Sequence, residues 1–206
     1  VDLAKCQKSL NEYLDTKKKK YPRFYFVSNV ALLDILSNGH TPKRVVPYLA
    51  DCYDSLSDLV FRDEASENPH NASAMIASDG EVIPFPFNFE MKDPVEHWLN
   101  KLTEMQVLTL KTVLRSAIDT AVNWDHEKPR HEWLFDYPAQ VVLQGTQIFW
   151  TEETEAALED FEGGSEDAVK AYLDKCNGRL NHLISLVEGK LAKADRCKII
   201  SLITMD

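Results

Sequence analysis

The sequence predicts a mainly α protein, an elongated helical bundle or rod with one small β-hairpin. Three observations lead to this class. The stretch from Pro94 to Val122 has apolar residues at helical spacing over its whole length. Glycine is scarce, at 7 of 206 residues, which disfavours an all-β architecture. A hairpin signal stands at Asp79-Gly80, between two short β-rich segments.

The long helix is the element around which the rest of the chain is expected to pack. Asp93 is a good N-cap, and Pro94 suits the first helical position. At ~1.5 Å per residue the helix would be about 43 Å long, which indicates an elongated body. Its apolar residues cover an arc wide enough for more than one neighbour. These residues are Val95, Trp98, Leu99, Leu102, Met105, Val113, Leu114, Ala117, Ile118 and Ala121.

Length and composition limit the class of protein. A chain of 206 residues makes one large domain or two small ones, and 44% hydrophobic residues are enough for a core. We expect short helices and the hairpin over residues 1–92, and a long-helix bundle over residues 93–206. The net charge of −10 argues against binding to nucleic acid or to an anionic membrane. Because no apolar run approaches ~18 residues, no membrane span is predicted.

The four cysteines, Cys6, Cys52, Cys176 and Cys197, are scattered without a paired spacing. This pattern predicts reduced, buried thiols in a cytosolic compartment. The chain starts at Val1 and closes on an apolar run, which we interpret as a fragment of a longer chain.

The first helix is predicted from Val1 to Lys19. The basic run Lys17-Lys18-Lys19-Lys20 closes it, and we interpret this run as a solvated last turn in which cations complement the helix dipole. A docking patch for an acidic partner is the alternative interpretation. One face of the helix carries the apolar stripe Leu3, Cys6, Leu10, Tyr13 and Leu14.

Two further helices are predicted before the β segments. Pro22 ends the first helix, and the aromatic run 23–27 indicates a short, buried, extended piece. Ser28 is expected to cap a helix that closes at Asn38-Gly39. Thr41-Pro42 is expected to open the next helix.

The β segments are Leu56–Phe61 and Ala74–Phe85. Between Ile76 and Val82, Asp79-Gly80 is expected to supply the two positive-φ positions of a type I′ turn. Pro84 lacks an N–H, which predicts that its strand lies at an edge of the sheet or ends there.

Phe85, Phe87 and Phe89 alternate after the hairpin and have two possible roles. They could form an exposed docking strip, or they could seal the hairpin against the helices. We favour the seal, because large exposed apolar patches are uncommon. Together with Trp124 and Trp133, they are the candidate residues for an intramolecular or partner contact.

The region after the long helix, Asn123 to Tyr137, is predicted to be a polar loop pinned by two tryptophans. His126 and His131 lie in it among carboxylates and suggest a metal site. Two histidines at this spacing, without a nearby cysteine, match no common zinc site. No metal ligand is therefore predicted here.

The next helix is expected to be capped by Asp136, to be broken or bent around Gly145, and to continue as an acidic amphipathic segment. Glu152 and Glu153 in that segment suggest acid/base chemistry. Because nothing apolar surrounds them to separate their pKa values, a solvated helix face is the better interpretation.

After the Gly163-Gly164 break, Ser165 is expected to cap the last helix. Its apolar residues recur at intervals of four and three, a narrow stripe that suits one antiparallel helical neighbour. Gly178 and Gly189 are expected to mark bends or close helix contacts. The stripe comprises Val169, Leu173, Cys176, Leu180, Leu183, Val187 and Leu191.

Catalytic motifs are absent from the sequence. It lacks the G-x-x-x-x-G-K-[ST] phosphate loop, the G-x-S-x-G nucleophile motif and the H-E-x-x-H metal motif. We therefore predict no catalytic residue, no cofactor site and no metal site in this chain.

Two parts of the chain resemble a known family. The first comprises residues 8–14 (KSLNEYL), residues 21–29 (YPRFYFVSN) and the helix LLDILS that follows. The second comprises residues 137–143 (YPAQVVL) and 146–151 (TQIFWT). These segments resemble the linker region of dynein heavy chains, which lies just before the ring of AAA+ modules. They are more similar to axonemal than to cytoplasmic chains.

The resemblance implies the C-terminal part of a linker, a lever that bends and straightens as the ring hydrolyses ATP and so drives microtubule-based movement. It places ATP and Mg in the ring of the parent chain and implies no cofactor in this chain. The implied partners are the AAA+ modules of the same heavy chain and other dynein subunits, with microtubules only indirectly. The implied location is the axoneme of a cilium or flagellum, or alternatively the cytoplasm.

Two other classes remain open. A generic α-helical scaffold that binds a partner protein would expose a groove or stripe, for instance at Phe85 to Phe89. An enzyme domain that uses the acidic or histidine-rich loop would need convergent carboxylates or imidazoles in a pocket, which the spacings do not supply.

Overall fold

The computed structural model describes residues 2–62, 66, 68–92, 94–121 and 129–205. The chain divides into two compact units, Val1–Thr109 and Leu110–Asp206, here called unit 1 and unit 2. The predicted cap Asp93, the predicted helix end Val122 and the loop residues 123–128 lie outside the described residues. Helices dominate the rest, which confirms the mainly α class.

Unit 1 begins with helix α1, Asp2–Lys20, as predicted. Its apolar stripe is not a core face, because residues 2–13 are exposed on every side of the helix. Leu3 and Leu10 are among these exposed residues, and Leu14 is the buried residue of α1.

The aromatic run after α1 forms a 3-10 helix, Pro22–Phe26, so the prediction of an extended piece is wrong. Tyr21, Phe24 and Val27 are buried, whereas the two aromatic residues between Phe24 and Val27 are exposed. Burial at every third residue matches the three residues per turn of a 3-10 helix.

Helix α2 spans Asn29–Ser37, and its predicted cap is confirmed because the Ala31 N–H donates to Ser28 Oγ over 3.2 Å. The helix ends before Asn38-Gly39, as predicted, but Gly39 does not adopt a positive φ. A Cβ at Gly39 would lie 3.2 Å from the Cβ of Val95, so a close approach explains this glycine.

The next helix is shorter than predicted. It consists of α3 (Pro42–Val45), a 3-10 turn (Val46–Tyr48) and α4 (Leu49–Cys52). Pro47 explains the break, because proline lacks the N–H that a continuous α-helix would use there.

Three strands form an antiparallel sheet in the order β1-β2-β3, within the part of unit 1 that the structure describes. They are β1 (Leu56–Phe61), β2 (Asn71–Ala77) and β3 (Val82–Glu90). The predicted hairpin is therefore two strands of a larger sheet. The edge position of β3 is confirmed, although the strand continues past Pro84.

The hairpin turn differs from the predicted type I′ geometry. Gly80 has φ 92°, but Asp79 does not have a positive φ. The Gly80 N–H donates to the Ala77 carbonyl over 3.0 Å, and the Ala77 N–H donates to the Glu81 carbonyl over 2.9 Å. A turn closed by one left-handed glycine is the common alternative for a longer hairpin loop.

The predicted long helix is confirmed as α5, Val95–Ala121. In unit 1, hydroxyl groups of two buried tyrosines and a half-buried threonine join it to earlier elements. The Tyr21 hydroxyl donates to the Tyr53 hydroxyl over 2.9 Å, and the Tyr53 hydroxyl lies 2.7 Å from Thr103 Oγ1 on α5. These contacts satisfy polar groups that burial would otherwise leave without partners.

Unit 2 continues with α6 (Arg130–Asp136), α7 (Ala139–Glu162), α8 (Ala168–Glu188) and α9 (Lys193–Ile203). Residues 130–136 form a helix, so the prediction of a polar loop is wrong there. None of the helices in the described part of the chain is long and apolar enough to cross a membrane.

Several predicted details of unit 2 are wrong. Asp136 is the last residue of α6, and Pro138 directly precedes α7. Asp167, two residues after Ser165, directly precedes α8. Helix α8 contacts both α7 and α9, where one neighbour was expected.

The cysteines are all free thiols, but they are not all buried as predicted. Cys52 is buried and Cys176 is half-buried, whereas Cys6 and Cys197 are exposed.

The core of unit 2 brings together its helices and the last turns of α5. Trp133 is the largest residue in it, and its Nε1–H donates to the Ala117 carbonyl over 3.0 Å and to Thr120 Oγ1 over 3.2 Å. The buried cluster consists of Ala117, Ala121, Trp133, Leu134, Val141, Val142, Leu183, Ile199 and Leu202.

Helix α7 passes through Gly145 without the predicted break. A Cβ at Gly145 would lie 3.1 Å from Cη2 of Trp133. The glycine is therefore explained by the space that the tryptophan ring occupies. Gly178 in α8 is different, because a Cβ there would meet nothing within 4 Å.

This difference predicts opposite effects for two alanine substitutions. Gly145→Ala should lower the free energy of unfolding by about 1 kcal/mol, because the clash with a buried, hydrogen-bonded ring outweighs the gain in helix propensity. Gly178→Ala, the matched control, should raise it by about 0.5–1 kcal/mol. Urea denaturation measures both free energies of unfolding. Equal effects of the two substitutions would contradict the explanation of Gly145 by the Trp133 ring.

Candidate partner-contact site

The structure separates the three phenylalanines that the sequence placed together. Phe85 and Phe89 are buried, with ring centroids 5.9 Å apart, whereas Phe87 is 57% exposed. The cause is a shift of register between β2 and β3, which leaves residues 85–88 opposite Ser73 alone. A sealing role fits Phe85 and Phe89, and Phe87 is the candidate for a contact.

A groove of about 440 Å³ lies beside Phe87 in unit 1, between the end of β3 and helix α5. Phe89, Met105 and Leu108 supply its apolar surface, and a rim of both charges surrounds them. Within the rim, Lys92 pairs with Glu90. An apolar floor with a polar rim suits contact with a protein surface. The other lining residues are Asn88, Glu90, Lys92, Lys101 and Glu104.

The two tryptophans named as candidates have different outcomes. Trp133 is 1% exposed and belongs to the core of unit 2, so its contacts are intramolecular. Trp124 lies outside the described residues.

Of the two histidines considered for a metal site, the structure describes His131. In the described ranges, no group of three or more His, Cys, Asp or Glu residues could hold a metal ion. His131 contacts His182, with ring centroids 4.8 Å apart, beside a cavity of about 240 Å³. His126 lies outside the described residues.

Glu153 is not the solvated carboxylate that the sequence suggested. Its carboxylate accepts hydrogen bonds from Arg179 Nη2 over 2.8 Å and from Lys175 Nζ over 3.0 Å. Burial acts to raise the pKa of Glu153, but the hydrogen bonds from Arg179 and Lys175 outweigh it and hold the pKa below its ordinary value. The carboxylate therefore braces α7 against α8 and stays charged.

Glu96 is the most buried carboxylate of unit 1, among the residues described. It lies in the first turn of α5 and is 2% exposed. Lys17 Nζ donates to its Oε1 over 2.6 Å, and Lys20 Nζ lies 3.5 Å from the same atom. The Asn100 side chain adds a hydrogen bond to the Lys20 carbonyl over 3.0 Å. These contacts tie the end of α1 to the start of α5.

The charges in this cluster stabilise each other. Burial acts to raise the pKa of Glu96, but the Lys17 hydrogen bond and the two lysine charges outweigh it, so this pKa lies below its ordinary value. The hydrogen bond to Glu96 in turn raises the pKa of Lys17. The basic run at the end of α1 is thus partly internal, which corrects its interpretation as a solvated turn.

One comparison with known proteins decides the family. The family model described as "Dynein heavy chain, N-terminal region 2" matches residues 1–117, more than half of the chain. The chain belongs to the dynein heavy chain family. The match covers all of unit 1, including the Glu96 cluster and the groove at Phe87.

Known dynein heavy chains are similar over nearly the whole chain. The chain is 42% identical, over 99% of its length, to the ciliary dynein beta chain of Heliocidaris crassispina and to dynein axonemal heavy chain 17 of Homo sapiens. It is 38% identical, also over 99%, to the flagellar outer arm dynein beta chain of Chlamydomonas reinhardtii. The chain spans about 4% of the length of each of these relatives.

The Glu96 cluster of this dynein segment was not predicted from the sequence. The available signal was a carboxylate between Val95 and Trp98, inside the apolar arc of the long helix. A charged residue on a buried helix face needs a partner of opposite charge. The run of lysines at the end of the first helix is the partner that this rule would have suggested.

Glu96→Gln in this dynein segment should lower the free energy of unfolding by about 1–2 kcal/mol, because Lys17 and Lys20 lose the charge that they neutralise. Urea denaturation at pH 7 measures the loss. Glu12→Gln is the control, since Glu12 forms an exposed ion pair with Lys8, and both residues lie on α1. The control should change stability by less than about 0.5 kcal/mol.

The effect of Glu96→Gln should also depend on pH. Because the folded-state pKa of Glu96 is lowered, its contribution is complete above the unfolded-state pKa of about 4.3 and is lost as pH falls through the folded-state pKa. The difference between wild type and variant should therefore be constant from pH 7 to about pH 5 and shrink below about pH 4. A difference that persists undiminished in acid would contradict this role.

Proposed function

We propose that this chain is the C-terminal part of the linker of an axonemal dynein heavy chain. In this proposal it is a mechanical lever with an elongated helical body. It transmits the ATP-driven conformational change of the AAA+ ring into microtubule-based movement of a cilium or flagellum. The observation that carries the proposal is the similarity to ciliary, axonemal and flagellar dynein chains over 99% of this chain.

The geometry supports a mechanical role over a chemical one. The charges of the buried Glu96 and the half-buried Glu153 are each held by two basic side chains that come from another helix. Such contacts brace helices and leave their carboxylates poorly suited to proton transfer, since both pKa values are lowered. ATP and Mg belong, in this proposal, to the ring of the parent chain.

The groove at Phe87 is the proposed contact with the AAA+ modules of the same heavy chain. The exposed Phe87 side chain beside an apolar floor with a polar rim supports this assignment, because aromatic side chains in such settings supply much of the binding energy at protein contacts. A generic scaffold module that binds another subunit through the same groove is the second candidate.

The test uses a dynein heavy-chain motor that carries this segment, with Phe87→Ser compared with Val82→Ser. Val82 is the matched control, because it is 56% exposed on the same strand and does not line the groove. Phe87→Ser should slow microtubule gliding about fivefold, the factor expected for about 1 kcal/mol of lost coupling. Basal ATP hydrolysis should change less than about twofold, and Val82→Ser should behave as wild type.

Two outcomes would contradict the lever proposal. If Phe87→Ser leaves gliding unchanged and instead releases another subunit from the purified complex, the scaffold function is correct. If gliding and ATP hydrolysis fall together in proportion, the segment acts on the chemistry of the ring and not on transmission.

A further inference from the structure

The connected ends of α7 and α8 carry most of the net negative charge of the chain. Residues 150–175, here called the hairpin tip, contain nine carboxylates and two lysines, a net charge of −7 out of −10 for all 206 residues. One of the two lysines, Lys175, is already held by Glu153. The tip therefore presents a strongly negative surface, which attracts cationic partners and repels polyanions.

The same tip exposes large apolar side chains. Leu158, Phe161, Val169 and Leu173 are each between 41% and 57% exposed. All four lie within about two to three helical turns of the connection at residues 163–167, so they lie at the same end of the α7–α8 helix pair. Scattered single residues of this kind are normal on a surface, but four at one end of a helix pair form a patch.

The exposure has a structural cause. At the other end of α8, Leu183 packs into the buried cluster with Ile199 and Leu202 of α9. None of the described residues 150–175 belongs to this buried cluster or to the half-buried residues packed against it. The apolar stripe of α8 runs unbroken from Val169 to Leu183, so its first half has the same pattern without the third helix that covers the second half.

We propose that the hairpin tip is a docking surface for a basic amphipathic α-helix of a partner protein. The apolar face of this helix covers Leu158, Phe161, Val169 and Leu173, as α9 covers the stripe further along. Its Lys and Arg residues face the surrounding carboxylates. The negative charge of the tip favours a basic partner. The apolar patch favours a partner that also has an apolar face, which a simple cation lacks. The inference does not depend on the proposed lever function.

The test measures binding of the full 206-residue chain to two synthetic 18-residue peptides of the same Leu/Lys composition at about 150 mM salt, where exposed charges are strongly screened. In one peptide the leucines form a helical stripe, and in the other they are scrambled. The striped peptide should bind at least about tenfold tighter, because only it can bury leucines against the patch. When the striped peptide binds, the amide chemical shifts of the 206-residue chain should change only at residues 150–175.

Variants locate the apolar contribution. Leu158→Ser with Leu173→Ser should weaken binding of the striped peptide about tenfold, down to the level of the scrambled peptide. Leu3→Ser with Val30→Ser is the matched control, since both residues are exposed in unit 1, and it should bind as wild type. Circular dichroism confirms that each variant is folded before binding is measured.

Three outcomes would overturn the proposal. Equal binding of the striped and scrambled peptides would mean that charge alone is recognised. Shift changes spread over unit 1 would place the contact elsewhere. An undiminished affinity of the folded Leu158→Ser, Leu173→Ser variant would remove the apolar patch from the interaction.

Discussion

The ion pairs of Glu96 are the interaction on which unit 1 depends. A charged carboxylate that is 2% exposed costs several kcal/mol of lost hydration unless cations replace the water. Lys17 and Lys20 are those cations, and both come from the last turn of α1. The position in the first turn of α5 adds the favourable end of the helix dipole. The end of α1 and the start of α5 must therefore meet, which also places the aromatic turn between Tyr21 and Val27.

The same use of charge recurs in unit 2, where Glu153 is held by Lys175 and Arg179. In each unit a carboxylate on one helix joins that helix to another and stays ionised. Hydroxyl groups act in the same way, as the chain from Tyr21 through Tyr53 to Thr103 illustrates. The polar groups of these residues thus hold helices in place. A protein organised in this way is expected to act through contacts and geometry, as the proposed lever does.

Local sequence signals were sufficient where the period of a long element decides its structure. Proline and the apolar arc located α5, and the cap of α2 followed from Ser28. Local sequence signals failed where packing between distant residues decides the local structure. The run at 22–26 is rich in strand-forming aromatic residues but turns every third residue inward. Phe87 is exposed because of a register shift, and Gly145 is explained by Trp133, a residue on another helix. The Glu96 cluster joins residues almost eighty positions apart, which no local pattern reveals.

Hydrogen exchange of the full chain at pH 7, with wild type compared with Glu96→Gln, tests most directly whether the Glu96 cluster holds unit 1 together. Amides in the last turn of α1, in the turn at 22–26 and in the first turns of α5 should exchange together about tenfold faster in the variant. Amides of α7 should be unchanged. If acceleration is confined to the immediate neighbours of residue 96 while α1 keeps its full protection, the cluster is a local contact and the account is wrong.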